Sequence, residues 1–173
     1  MISIDIRRVT VNDVFALQAI SRQTFHETFS SQNTDEDMKT YLTEALSCEK
    51  LAAELSSSGS EFYFAELDAQ VIGYLKLNFG LSQTEAQDDD AVEIERIYVL
   101  KAFLGVGVGS VLFGKAIQVA RQRNAHYVWL GVWEHNHRAI RFYKRNGFVE
   151  FGMHTFRLGS DQQTDIMMRL ILD

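Results

Sequence analysis

The 173-residue sequence has no proline and a single cysteine, Cys48. One cysteine excludes an internal disulfide, so the fold must rest on its core, and this usage suits a reducing, cytoplasmic setting. Cys48 itself reads as a small residue at a helix start rather than a reactive thiol. Without proline, turns fall to Gly, Asn, Asp and Ser. No apolar run reaches the roughly 18 residues of a membrane-spanning helix. The opening Met-Ile-Ser-Ile-Asp-Ile-Arg-Arg has no apolar stretch of the signal-peptide kind. Basic residues are outnumbered, 17 Lys and Arg against 23 Asp and Glu, for a formal net charge of -6. That balance argues against nucleic acid as a partner and suits a cationic one. Neither repeats nor low-complexity tracts are visible, and no linker divides residues 1–173, which read as one domain.

What is present is a change of pattern along the chain. Residues 2–9 alternate through Ile2, Ile4 and Ile6, as a strand does. Thr10 with Asp13 and Thr34 with Asp37 are helix-start signals. They introduce a helix from Phe15 toward Phe25 and another carrying Met38, Tyr41, Leu42 and Leu46. Leu51 and Leu55 mark a third short helix, ending near Ser56–Gly59. Residues 61–67 and 71–79 then read as a β-hairpin around Asp68-Ala69-Gln70. A polar, acidic loop over 81–90 follows. Beyond it come a strand (91–99), a helix (107–123), a strand (127–133), a helix (136–146) and strands near 148–156 and 164–172. This is an α/β (α+β) chain with a mixed sheet and helices on its faces.

The strongest local signal is Leu104-Gly105-Val106-Gly107-Val108-Gly109-Ser110, after a strand and at the start of a helix. Glycines let a backbone come close to a ligand. The first turn of a helix offers unpaired N–H groups and the positive end of its dipole, so the segment suits a pyrophosphate. A Rossmann fingerprint fits poorly, because Ser110 stands where glycine is required and the later acidic residue is missing. A P-loop also fits poorly, because Ala116 follows Gly114-Lys115 where a hydroxyl residue belongs. A tight turn without ligand is the remaining bland alternative.

With the strand Ile97-Tyr98-Val99 before it, this loop resembles the coenzyme A signature of the GCN5-related N-acetyltransferases (GNAT). A second stretch, Asn136-His137-Arg138-Ala139-Ile140-Arg141-Phe142-Tyr143-Lys144-Arg145-Asn146-Gly147-Phe148, resembles that family's Asn-x-x-Ala-x-x-x-Tyr-x-x-x-Gly-Phe pattern. Leu104 replaces the usual Gln or Arg, and Val106 a position that is often basic. Phosphate contacts would therefore rest on main-chain N–H groups. The resemblance implies a mostly antiparallel twisted sheet with helices on both faces, and acetyl-CoA as co-substrate. It also implies transfer of acetyl to an amine by direct attack, with no covalent enzyme intermediate. Cofactor contacts would come from Ile97, Tyr98, Val99, residues Leu104 through Ser110, Asn136, Arg138, Lys144 and Arg145. Tyr143 would protonate the departing thiolate. An acyl-CoA-binding sensor with little catalysis is the alternative reading.

Deprotonating an amine of pKa near 10.4 at pH 7 costs roughly 4–5 kcal/mol, so a base is needed. Glu93 and Glu95 are the candidates. Alternation along 91–99 puts both on one face with Ile97 and Val99; a glutamate base, where the family uses one, matches Glu93, but the spacing does not separate the two carboxylates. Pairing with Arg96 or another cation would remove either from the chemistry. Phe25-His26-Glu27-Thr28-Phe29, Gly73-Tyr74-Leu75-Lys76-Leu77-Asn78 and Trp129-Leu130-Gly131-Val132-Trp133-Glu134 resemble the PaiA-type bacterial branch. So does Leu158-Gly159-Ser160-Asp161-Gln162-Gln163-Thr164-Asp165. That branch implies a small-molecule amine acceptor, with polyamines such as spermidine the associated class, and makes Glu27 a candidate substrate contact. No nucleic-acid or membrane partner is expected, and a homodimer is compatible with the resemblance. Glu134, His135 and His137 lack a dedicated third ligand at useful spacing, so no metal is expected.

Overall fold

The computed structural model describes residues 3–85 and 87–173; Ile2 of the expected first strand and Ala86 of the acidic loop lie outside the described residues. The elements run β1 (Asp5–Arg8), α1 (Val14–Phe29), α2 (Asp35–Glu44), α3 (Cys48–Ser56), β2 (Ser60–Leu67) and β3 (Gln70–Phe79). Then follow β4 (Ala91–Val99), α4 (Val108–Gln122), β5 (Tyr127–Trp133), α5 (His137–Arg145), β6 (Val149–Leu158) and β7 (Asp161–Ile171).

Local chemistry sets these boundaries. The Thr10 N–H donates to Asp13 Oδ2 at 2.8 Å ahead of α1. Thr34 Oγ1 accepts from the Asp37 N–H and opens α2, and Ser47 Oγ caps α3 from just before Cys48. Each satisfies an N–H that the first helical turn leaves unpaired. The β2–β3 hairpin turns on Asp68 and Ala69, both at positive φ.

The seven strands form one sheet in the order β1-β2-β3-β4-β5-β7-β6, antiparallel except for β4 against β5. On one face α4 and α5 cover a cluster that includes Leu75, Leu77, Val92, Ile94, Leu112, Ala116, Val119 and Val128. On the other, α1–α3 cover Phe62, Phe64 and Tyr74 with Leu17, Phe25, Met38 and Leu51. Burying both faces explains why β3 reads as a nearly continuous apolar run.

Two irregularities shape the centre. First, Lys76 pairs with Arg96 but Leu77 pairs with Ile94, so Glu95 is an extra residue on β4. Such a bulge bends its strand and interrupts the alternation of faces. Ile97 and Val99 accordingly pack into the α4-side cluster. Glu93 and Glu95 instead engage Asn78 and Lys76 on the opposite face. The single face expected for Glu93, Glu95, Ile97 and Val99 is corrected: the inserted residue puts the two carboxylates on the α1–α3 side. Second, β4 and β5 pair only through Ala91–Tyr127, Val92–Val128 and Glu93–Trp129. Beyond Glu93 the two strands part, and the sheet opens at its middle.

Candidate active site

The gap between β4 and β5 leads into a cavity of about 770 Å³. One end is lined by Leu104, Gly105, Gly107, Gly109, Ser110, Asn136, Arg138, Arg145 and Tyr143. The other is lined by Phe25, Glu27, Phe29, Tyr41, Thr84, Glu93, Glu95, Trp133, His154 and Asp165, with Ile97, Tyr98 and Val99 between. Two chemically different chambers therefore meet at the parted strands.

The loop end is shaped for an anion. Gly105 and Gly107 hold φ of 86° and 98°, a region that favours glycine. Gly107 is the N-cap of α4, whose first backbone bond runs from the Val111 N–H to the Gly107 carbonyl. Helix geometry leaves the N–H groups ahead of Val111 without intrahelical acceptors. A Cβ added at Gly107 or Gly109 would meet nothing within 4 Å, so the loop faces open space. Arg138 Nη2 lies 3.6 Å from where a Gly105 Cβ would be, and it brings positive charge to the same mouth. Glycines, orphan N–H groups and an arginine fit a diphosphate.

Not every expected contact is in place. Val108 is buried in the core beneath the loop, and Val106 is exposed; neither side chain lines the cavity. Lys144 pairs with Glu150 at 2.8 Å outside it, because it lies on the solvent side of α5 while Tyr143 lies on the core side. Asn136 reaches the cavity, but its Oδ1 accepts from the Ala139 N–H at 3.2 Å and caps α5. Glu27 also lines the cavity, yet Oε2 accepts the Lys101 N–H at 2.7 Å and Oε1 accepts from Gln23. It ties α1 to the turn that leads into the glycine loop.

Tyr143 is 6% exposed and packs against Phe142 and Phe148. Burial pushes its phenol well above the ordinary value, so the proton is held throughout the neutral range. The two glutamates sit in opposite environments. Glu95 forms ion pairs with Lys76 at 2.5 Å and Arg96 at 3.2 Å and accepts from Asn78. Glu54 of α3 completes the network through the same two cations. Burial pushes the Glu95 carboxyl up, but Arg96 and Lys76 outweigh it and hold it below the ordinary range. Glu93, 3% exposed, accepts from Asn78 Nδ2 at 3.0 Å, from the Thr84 N–H at 2.8 Å and from Thr84 Oγ1. These donors are neutral. Burial prevails over them and raises the Glu93 carboxyl.

Thr84, His154 and Asp165 escaped the sequence reading of the site. Thr84 sits in what reads as a solvated acidic loop. His154 and Asp165 are a direct cross-strand pair of β6 and β7, more than sixty positions from Glu93, and only the sheet order brings them near it. Among the described residues, no group of three or more His, Cys, Asp or Glu side chains could hold a metal ion.

Comparison with known proteins agrees with this geometry. Residues 19–148 match the model of the acetyltransferase (GNAT) family. An uncharacterized N-acetyltransferase in the pepI 3′ region of Lactobacillus delbrueckii subsp. lactis is 41% identical over 172 residues, 99% of each chain. A spermidine N(1)-acetyltransferase of Thermoplasma acidophilum is 25% identical over 150 residues, 84% of this chain and 88% of its own. The crystal structure of the PaiA N-acetyltransferase from Thermoplasma acidophilum in complex with coenzyme A superposes with a TM-score of 0.80 at 22% identity. It covers 98% of this chain and 99% of that one, and so shares the fold. With three-quarters of its length matching the family model and a full-length relative 41% identical, the chain belongs to the GNAT family as an acetyl-CoA-dependent N-acetyltransferase.

Proposed function

We propose that the acceptor is the primary amine of a small molecule, with polyamines such as spermidine as the class, and that this amine attacks the thioester directly. Acetyl-CoA would supply the activated acyl group. The glycine loop and the start of α4 would hold its diphosphate through main-chain N–H groups, helped by Arg138 and Arg145. Main-chain groups of Ile97 to Val99 would align the acyl arm along the unpaired stretch of β4. Holding both reactants in one cavity turns a bimolecular encounter into a local one.

Glu93 would take the proton that the attacking nitrogen must lose, directly or through water. As the carbon–nitrogen bond forms and the carbon–sulfur bond breaks, the electron pair goes to sulfur and Tyr143 supplies its proton. Return of a proton to Tyr143 and loss of one from Glu93 to solvent restore the site, leaving an N-acetylated amine and free thiol. The observation that carries this reading is the contrast on β4: Glu95 is neutralised by two cations, while Glu93 has only neutral donors and faces the cavity. The aromatic side chains Phe25, Phe29, Tyr41 and Trp133 beside these carboxylates suit the alkyl part and charge of an ammonium ion. The relationship to a spermidine acetyltransferase supports the polyamine class.

The test is thiol release from acetyl-CoA over a panel of alkylamines, polyamines, amino sugars and peptide N-termini. Turnover concentrated among the alkyl amines and polyamines is expected. Turnover confined to peptide N-termini would overturn the substrate class.

A further inference from the structure

His154 Nε2 stands 3.3 Å from Asp165 Oδ2. The pair rests on Gly131, where a Cβ would come within 2.8 Å of the His154 ring and 3.3 Å of Asp165 Oδ2. Any side chain at position 131 would push the pair off the strand. Asp165 is thereby held over β5, facing the cavity, and its ion-pair partner among the described residues is the imidazole alone. His154 Nδ1 is buried without a hydrogen-bond partner, with Glu85 Oε1 3.6 Å away. The negative charge of Glu134 repels that of Asp165. Among the described residues, three carboxylates of the cavity have no lysine or arginine ion pair: Glu93, Asp165, and Glu27, which is taken up by the Lys101 N–H and Gln23.

The strand positions beneath Glu93 and Asp165 lie close together. Glu93 pairs with Trp129, and Gly131 lies two residues further along β5. At about 3.3 Å per residue and about 4.8 Å between strands, the two positions are about 8 Å apart. That is the reach of a short alkyl chain with a nitrogen at each end.

From this placement we infer that the His154–Asp165 pair is the subsite for the non-reacting end of the acceptor: Asp165 receives a second ammonium group, and the enzyme selects diamines and polyamines over monoamines. This rests on the amine-acetylation reading of the same cavity. Glu93 deals with the nitrogen that must become neutral, and Asp165 with the one that stays charged. The imidazole keeps the carboxylate in place and yields it to the incoming cation.

The experiment compares kcat/KM for a four-carbon diamine, for butylamine and for the matching amino alcohol, whose hydroxyl replaces the second ammonium. Wild type should prefer the diamine over both by at least about tenfold, the worth of one good charge-assisted contact at about 1.4 kcal/mol. Asp165→Asn should erase that preference, lowering kcat/KM for the diamine far more than for butylamine. His154→Gln, which retains the carboxylate, should preserve the preference. Equal treatment of the three amines by wild type overturns the inference, as does an equal loss for all three in Asp165→Asn, or loss of the preference in His154→Gln. If Asp165→Asn does not fold, the wild-type ratios and His154→Gln decide. Turnover of butylamine by wild type keeps the acetyltransferase reading standing whichever way the ratios fall.

Discussion

Replacing each of the two β4 glutamates by glutamine should separate catalysis from stability. Glu95 balances Lys76 and Arg96, which are almost fully buried and share one other carboxylate, Glu54. Glu95→Gln leaves two cations facing one anion. Breaking a buried pair from one side costs about 3–5 kcal/mol. In a chain of this size each kcal/mol moves the melting temperature by about 2–4 °C, so a fall of about 10 °C is expected. Protein that remains folded should keep most of its turnover. Glu93→Gln should do the reverse. Its three neutral donors lose one charged acceptor, and rotation of the Thr84 hydroxyl can accommodate the new amide, so the stability cost is about 1 kcal/mol. Loss of a general base should lower kcat by about 10²–10⁴-fold.

The acid limb of kcat/KM adds a sign. A base must be unprotonated, so activity falls as pH falls through the raised Glu93 value, above the ordinary carboxylate range. An acceptor amine of low pKa keeps the substrate's own titration out of that limb. Glu95 acts on stability instead. Its folded-state value is depressed, so its contribution is present above the unfolded value near 4.3 and is lost as pH falls through the folded one. Thermal melts and thiol-release kinetics on both variants test the division. If Glu95→Gln slowed turnover as much as Glu93→Gln with an unchanged melt, the reasoning would be refuted.

Two further outcomes follow from the geometry. Tyr143→Phe keeps the ring packing against Phe142 and Phe148, so its melt should hold while kcat falls by about 10²-fold or more and the KM for acetyl-CoA stays level; unaltered turnover would remove Tyr143 from the proton path. Gly107→Ala forces a side chain into φ of 98°, a strain of about 1–3 kcal/mol, and puts a methyl into the space before α4. Calorimetry should show coenzyme A affinity falling by more than that of Gly114→Ala, a mid-helix control with no positive φ.

The sequence alone determined the elements and the place of the glycine loop at the start of α4. Alternation and helical spacing are local properties, and so are the Thr34 and Ser47 caps and the Gly105–Gly109 loop, so the pattern of residues carries them directly. Tyr143 was legible for the same reason, since its place on α5 follows from one continuous motif. The last strand is longer than the apolar pattern over 164–172 predicts at its start: it begins at Asp161, because its polar first half, Asp161 to Asp165, pairs with β6 and never needs an apolar face.

The tertiary structure alone decided which glutamate is free. The bulge at Glu95 is invisible to a two-residue period, and it turns Ile97 and Val99 away from the carboxylates. Lys76 and Glu54, which neutralise Glu95, come from β3 and α3, distant in the chain. Likewise, His154 and Asp165 reach the cavity only because β7 inserts between β5 and β6. Proton affinity depends on burial and on neighbouring charge, and both are set by what the fold brings close in space rather than by what stands nearby in sequence.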